Sequence, residues 1–175
     1  MKMRYVLAAA ELAISILASS SGVAQPLRAG PCSASGYHQF DFFLGNWLVR
    51  DHTGRILGSD FVAKKYGGCV LIEEWSGLTD ADEGMAIFGY NPARDRWHAD
   101  TLVHRRAVLD FNGQKSGDRM VLTGTEFPMS GRVQLHRITW SVKGDGTVEE
   151  LWQTSTDAGQ SWQVYFDGLF DRISE

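Results

Sequence analysis

The stretch from His136 to Arg172, HRITWSVKGDGTVEELWQTSTDAGQSWQVYFDGLFDR, reads as three strands cut by two turns. KGDG and DAGQS are built from residues that supply φ > 0 or bond their own backbone. Between them the side chains alternate. On Val133–Val142, His136, Ile138 and Trp140 share a face opposite Arg137 and Thr139; on the next strand Val148, Glu150, Trp152 and Thr154 share one. A period of two carried across tight turns predicts an antiparallel meander.

Upstream the same punctuation recurs, as HTGR, YGG, GLTDADEG, NPARDR, NGQKSGD and FPMSGR. It delimits strands at Trp47–Asp51, Ile56–Lys64, Val70–Ser76, Met85–Tyr90, Trp97–His104, Val108–Phe111 and Arg119–Thr125. Val133–Val142, Thr147–Thr154 and Trp162–Asp171 follow. One short helix is predicted, over Tyr37–Leu44. About ten short strands need closure or a second layer to remove their edges. The expected fold is therefore all-β, an antiparallel up-and-down barrel of about ten strands. The helix would plug one end with Phe40, Phe42, Phe43 and Leu44. A two-sheet sandwich is the alternative, although the Cys–Trp–Cys spacing of immunoglobulin-type sandwiches is missing. No linker interrupts residues 37–175, which form a single domain behind an N-terminal arm, 25–36.

Within the opening stretch, Ser155–Trp162 (STDAGQSW) resembles the Asp-box hairpin repeated in sialidases and other propellers. At 175 residues the chain is too short for four four-stranded blades, and the motif occurs once. The hairpin reading remains: Asp157 bonds backbone N–H groups ahead of it and Trp162 packs the next strand onto its neighbour.

The N-terminus carries Lys2 and Arg4, an apolar run from Tyr5 to Leu17, and small residues ending near Ala24. This is the pattern of a secretory signal peptide, residues 1–24, and the run is short of the ~20 residues a spanning helix needs. Glu11 inside the run is unusual, and an anchor that stays attached is the other reading. The expected location is periplasmic or secreted. RAGPC around Cys32 lacks the residues expected before a lipidated cysteine, and no later segment could span a bilayer, so no stable membrane insertion is expected.

The net charge of −4 argues against a nucleic-acid partner or an anionic surface. The two cysteines, Cys32 and Cys69, would meet an oxidising compartment, which favours a disulfide over two buried thiols. Together with five scattered histidines they make no zinc site, and no metal is expected. Acidic turns such as GDG and TDADEG lack the ligand pattern of a calcium loop. P-loop, Rossmann and G-x-S-x-G motifs are absent, so no cofactor is expected. His98, His104 and His136 have no spacing that marks a haem ligand.

Phe40–Val49, FDFFLGNWLV, places Gly45-x-Trp47 at the start of the first strand. This resembles the G-x-W opening of lipocalins and their calycin relatives. The resemblance implies that Trp47 closes the barrel base, stacked by Arg172 near the end of the last strand. Gly67–Gly77, GGCVLIEEWSG, and the opening stretch sharpen it. Together they resemble a largely uncharacterised family of exported bacterial lipocalin-like proteins, over roughly residues 40–172. That likeness specifies a fold and no reaction.

A barrel of this size is filled by its own side chains or holds a small ligand. Six tryptophans favour an aromatic cavity. Trp75, Trp140, Trp152 and Tyr165 are the candidate ligand-binding residues, for a small apolar or aromatic molecule. Polar residues on apolar faces give a second reading, a small cofactor-free lyase or isomerase. Its candidate acid–base groups are Glu73, His98, His136 and Glu150, with His136 and Glu150 able to approach across neighbouring strands. On the strand at 97–104, Trp97, Ala99, Thr101 and Val103 form an apolar face; if it lies inward, His98 and His104 face solvent. Val70–Ser76 is apolar on both faces, so alternation cannot tell whether Glu73 or Glu74 points inside. A structural role for each of these groups is the competing reading.

Overall fold

The computed structural model describes residues 30–78, 83–103, 108–127 and 131–173. The signal-peptide segment, the first residues of the arm, and His104 lie outside them. Ten strands form one closed sheet: β1 (Gly45–Arg50), β2 (Ile56–Lys65), β3 (Val70–Gly77), β4 (Glu83–Asn91), β5 (Arg96–Val103), β6 (Val108–Ser116), β7 (Arg119–Glu126), β8 (Gln134–Val142), β9 (Val148–Ser155) and β10 (Gln163–Arg172). Each pairs antiparallel with its neighbours in the chain, and β1 closes on β10 from Trp47↔Arg172 to Arg50↔Leu169. Closure leaves no strand edge open. The molecule is thus a lipocalin-like up-and-down barrel, and the sandwich alternative falls.

Two local expectations are refined. The short helix expected over Tyr37–Leu44 is present as two 3-10 turns, Ser35–His38 and Asp41–Phe43. Their bonds span three residues, as in Phe43 N–H to Phe40 C=O at 3.0 Å. Phe40 and Phe43 are both fully buried, while Phe42 and Leu44 pack against the core margin. The strand expected to stop at Phe111 runs on to Ser116, because Asn112-Gly113 is ladder rather than turn. Gly113 is there for close approach: a Cβ would collide with the Val121 carbonyl of β7.

The turns at Ser35–Phe43 plug one end of the barrel. The Phe40 ring lies 5.2 Å from Phe88, 5.1 Å from Trp97 and 5.2 Å from Trp140; Phe43 lies 5.9 Å from Trp47 and 5.4 Å from Phe170. Trp47 is fully buried and donates its indole N–H to the Phe43 carbonyl at 2.9 Å. The Arg172 guanidinium lies 4.2 Å over the Trp47 ring. A Cys32–Cys69 disulfide ties the N-terminal arm to the start of β3. At the other end, Asp157 accepts from the Ser161 amide at 2.9 Å and hydroxyl at 2.6 Å, and Arg137 of β8 stacks 4.2 Å over Trp162. STDAGQSW is therefore the β9–β10 hairpin. Among the described residues no helix is long and apolar enough to cross a membrane.

Candidate functional site

Above the plug the barrel is hollow. A cavity of about 370 Å³ lies between the inner faces of the strands, within the size range of small-ligand sites. Trp140, Phe88 and Phe170 separate it from the plug, while Trp75, Trp152 and Phe166 wall it. Trp75 and Phe166 meet edge to face at 6.0 Å. Tyr165 reaches the cavity at the register shift between β9 and β10, with its ring 4.9 Å from Trp152. The four aromatic residues singled out from the sequence thus lie around one space. Exposed Leu102 lines the cavity, and exposed Leu78, Phe127, Val133 and Val164 stand at or next to strand ends on the side of the barrel away from the plug.

Two carboxyls line the cavity. On β3 the pairing Trp75↔Asp60 and Glu73↔Val62 turns Glu73 and Trp75 inward with buried Leu71, and leaves Glu74 exposed. On β9 Glu150 lies directly across from Trp140, whose indole N–H donates to Oε2 at 2.9 Å. Burial pushes the Glu150 carboxyl up to about 7, against the pull of that hydrogen bond. Burial pushes Glu73 well above the carboxylate range, and the charges of Asp60 and Glu150 push it further.

Asp60 is the residue that sequence reasoning missed. It sits on the inner face of β2 between buried Gly58 and Val62, with Trp47 and Trp75 as its cross-strand neighbours. It is 3% exposed, and neither carboxyl oxygen has a hydrogen-bond partner among the described residues. Burial and the Glu150 charge push it up to about 8; the Phe61 amide opposes this slightly, without the geometry of a hydrogen bond. Mixed faces hid it: Gly58, Asp60 and Val62 are no more apolar in sequence than Ser59, Phe61 and Ala63. Asp60, Glu73 and Glu150 feel one another's charge and titrate as a group. No Lys or Arg lines the cavity or is buried among the described residues.

The remaining acid–base candidates are elsewhere. His136 is buried and faces inward, but it pairs with Thr154 in the ladder rather than with Glu150. Its Nδ1 accepts from the Trp152 indole at 3.0 Å, so its Nε2 carries the proton and donates to Glu126 at 3.0 Å. That makes it a neutral imidazole that positions the Trp152 ring, and the His136–Glu150 pair considered above does not form. His98 is corrected outright. Trp97 and Ala99 take the inward positions of β5, and His98 stands on the outer face beside Asp100 and Asp110. No family model matches this chain, and no curated protein matches it.

Proposed function

We propose that this protein is an exported barrel that holds a small hydrophobic or aromatic molecule in its cavity. The observation that carries the reading is the aromatic-walled space of about 370 Å³, which the protein's own side chains leave open. Leu102, exposed and on the cavity lining, suits entry of such a ligand. Export rests on the signal-peptide pattern of residues 1–24, with cleavage near Ala24, and the Cys32–Cys69 bridge fits a periplasmic or secreted protein. Membership of the uncharacterised exported bacterial family belongs to the same proposal, on Gly45, Trp47 and Arg172. The test is native mass spectrometry of protein purified from its own compartment, followed by a thermal-shift screen of apolar and aromatic compounds read by tryptophan quenching. A reproducible added mass or a ligand that raises Tm supports the reading. A chain that comes off bare and a screen with no response would sink it.

Glu73 and Glu150 favour a second reading, a cofactor-free lyase or isomerase. Two carboxyls with raised pKa facing one cavity are suited to general acid–base work. Turnover lost in Glu73→Gln or Glu150→Gln, with the protein folded and still binding substrate, would establish it. A cavity ligand recovered chemically unchanged would speak against it.

A further inference from the structure

We propose that the cavity selects organic cations, an amine or quaternary ammonium group carried on a small aromatic or apolar body. The proposal rests on the binding reading above and names its ligand class. Three observations carry it. The first is the placement of Glu73 and Glu150 on the inner faces of β3 and β9, where both line the cavity; Asp60, on the inner face of β2, lies behind them beside Trp75 and does not line it. The second is that nothing inside neutralises them: no Lys or Arg lines the cavity or is buried among the described residues. Buried carboxyls are ordinarily paired or neutral; with no cation partner among the described residues these three are held toward the neutral form, and a cation is the partner that would let them ionise. The third is Asp60, 3% exposed and without a hydrogen-bond partner among the described residues, which acts on the cavity through its charge on Glu73 rather than by contact with a ligand.

The aromatic walls suit the same guest. Trp75, Trp140 and Trp152 present ring surface to the cavity, and a desolvated cation over an indole face gains cation–π attraction in addition to its carboxylate contacts. Glu150 is already oriented by Trp140, which leaves its second oxygen for a ligand. Burial holds these carboxyls toward the protonated state, and charge repulsion adds to it at Asp60 and Glu73. A cation reverses both effects and lets them ionise, so its arrival releases protons. An anionic ligand meets only repulsion from any carboxyl that ionises, and a neutral one gains nothing from their ionisation.

The test uses three probes that share one ring system and differ in charge: naphthylethylamine, naphthylethanol and naphthylacetate. They are titrated calorimetrically into the full mature protein at pH 7, in two buffers of different ionisation enthalpy. The amine should bind about tenfold or more tighter than the alcohol, one charged contact's worth of discrimination, with naphthylacetate weakest and protons released on amine binding alone. In Glu73→Gln/Glu150→Gln the ratio of amine to alcohol affinity should fall toward one. Equal binding of amine and alcohol to the wild type overturns the cation inference and leaves the cavity-binding reading standing. No binding of any probe overturns both. The wild-type series decides the matter even if the double variant does not fold.

Discussion

The Trp140 indole N–H donates to Glu150 Oε2 at 2.9 Å across a directly paired position of β8 and β9. The same ring packs on Phe40 and Phe43 of the plug, at 5.2 and 6.1 Å. One side chain thus joins the barrel's base to a carboxyl of its cavity, so changes at either place should register at the other.

Glu150→Gln keeps an acceptor for Trp140 and removes the charge. In the wild type the unfolded carboxyl ionises near 4.5 and the folded one near 7. Between those values the unfolded chain has lost a proton that the folded barrel keeps, so wild-type stability falls as pH rises through that window. The variant should lack this share of the decline. Its Tm should match the wild type near pH 4 and exceed it at pH 8, by up to about 3 kcal/mol in stability. Parallel Tm–pH curves for the two proteins would mean that Glu150 ionises normally in the folded state.

Phe40→Ala removes a fully buried ring that touches Phe88, Trp97 and Trp140. The expected cost is about 3–5 kcal/mol by urea unfolding. Acrylamide should quench tryptophan more efficiently in the folded variant, because the base of the barrel is opened. Phe40→Leu should recover much of the loss. An unchanged midpoint would show that the plug is not part of the cooperative core.

Arg172 stacks on Trp47 and donates to the Phe42 carbonyl at 3.1 Å and to the Leu44 carbonyl. Arg172→Ala should cost about 2 kcal/mol, the sum of a cation–π contact and hydrogen bonds from a charged donor. Arg172→Lys should restore only part of it, because an ammonium cannot stack and fork together. Gly45→Ala should be worse than its exposure suggests. Gly45 has φ +134°, and a Cβ there would meet the Arg172 guanidinium. Chemical denaturation of the three variants checks the ranking.

The Cys32–Cys69 bridge has a sequence separation of 37, so the chain-entropy model assigns it about 4 kcal/mol. Cys32→Ser/Cys69→Ser should lower the unfolding midpoint accordingly and still form the barrel, since all ten strands pair without the arm. A variant that loses its β-sheet circular dichroism at room temperature would show that the arm is needed for closure.

Much of the barrel was legible in the sequence because its signals are local. Turn residues between alternating segments locate nearly every strand, and HRITWSVKGDGTVEELWQ exposes its inner face, Ile138, Trp140, Glu150 and Trp152, by period two alone. Gly45-x-Trp47 placed the base, and alternation on β5 already set His98 against the apolar face. Asn112-Gly113 misled for the converse reason: a turn-like dipeptide was overridden by pairing with β7, a partner that local reading cannot see.

The cavity and its charge were decided by tertiary structure alone. Whether a barrel is hollow depends on how rings from the plug and several strands share its volume, a sum over residues far apart in the chain. Which glutamate of β3 points inside depends on register with β2, since both faces of that strand are apolar. Asp60 carries no sequence mark at all. Its importance lies in what surrounds it, two tryptophans across the ladder and two carboxyls on other strands, with no buried Lys or Arg among the described residues. Strand order and alternation follow from short-range chemistry that a sequence contains; desolvation and charge balance follow from long-range proximity, which exists only after β1 has closed on β10.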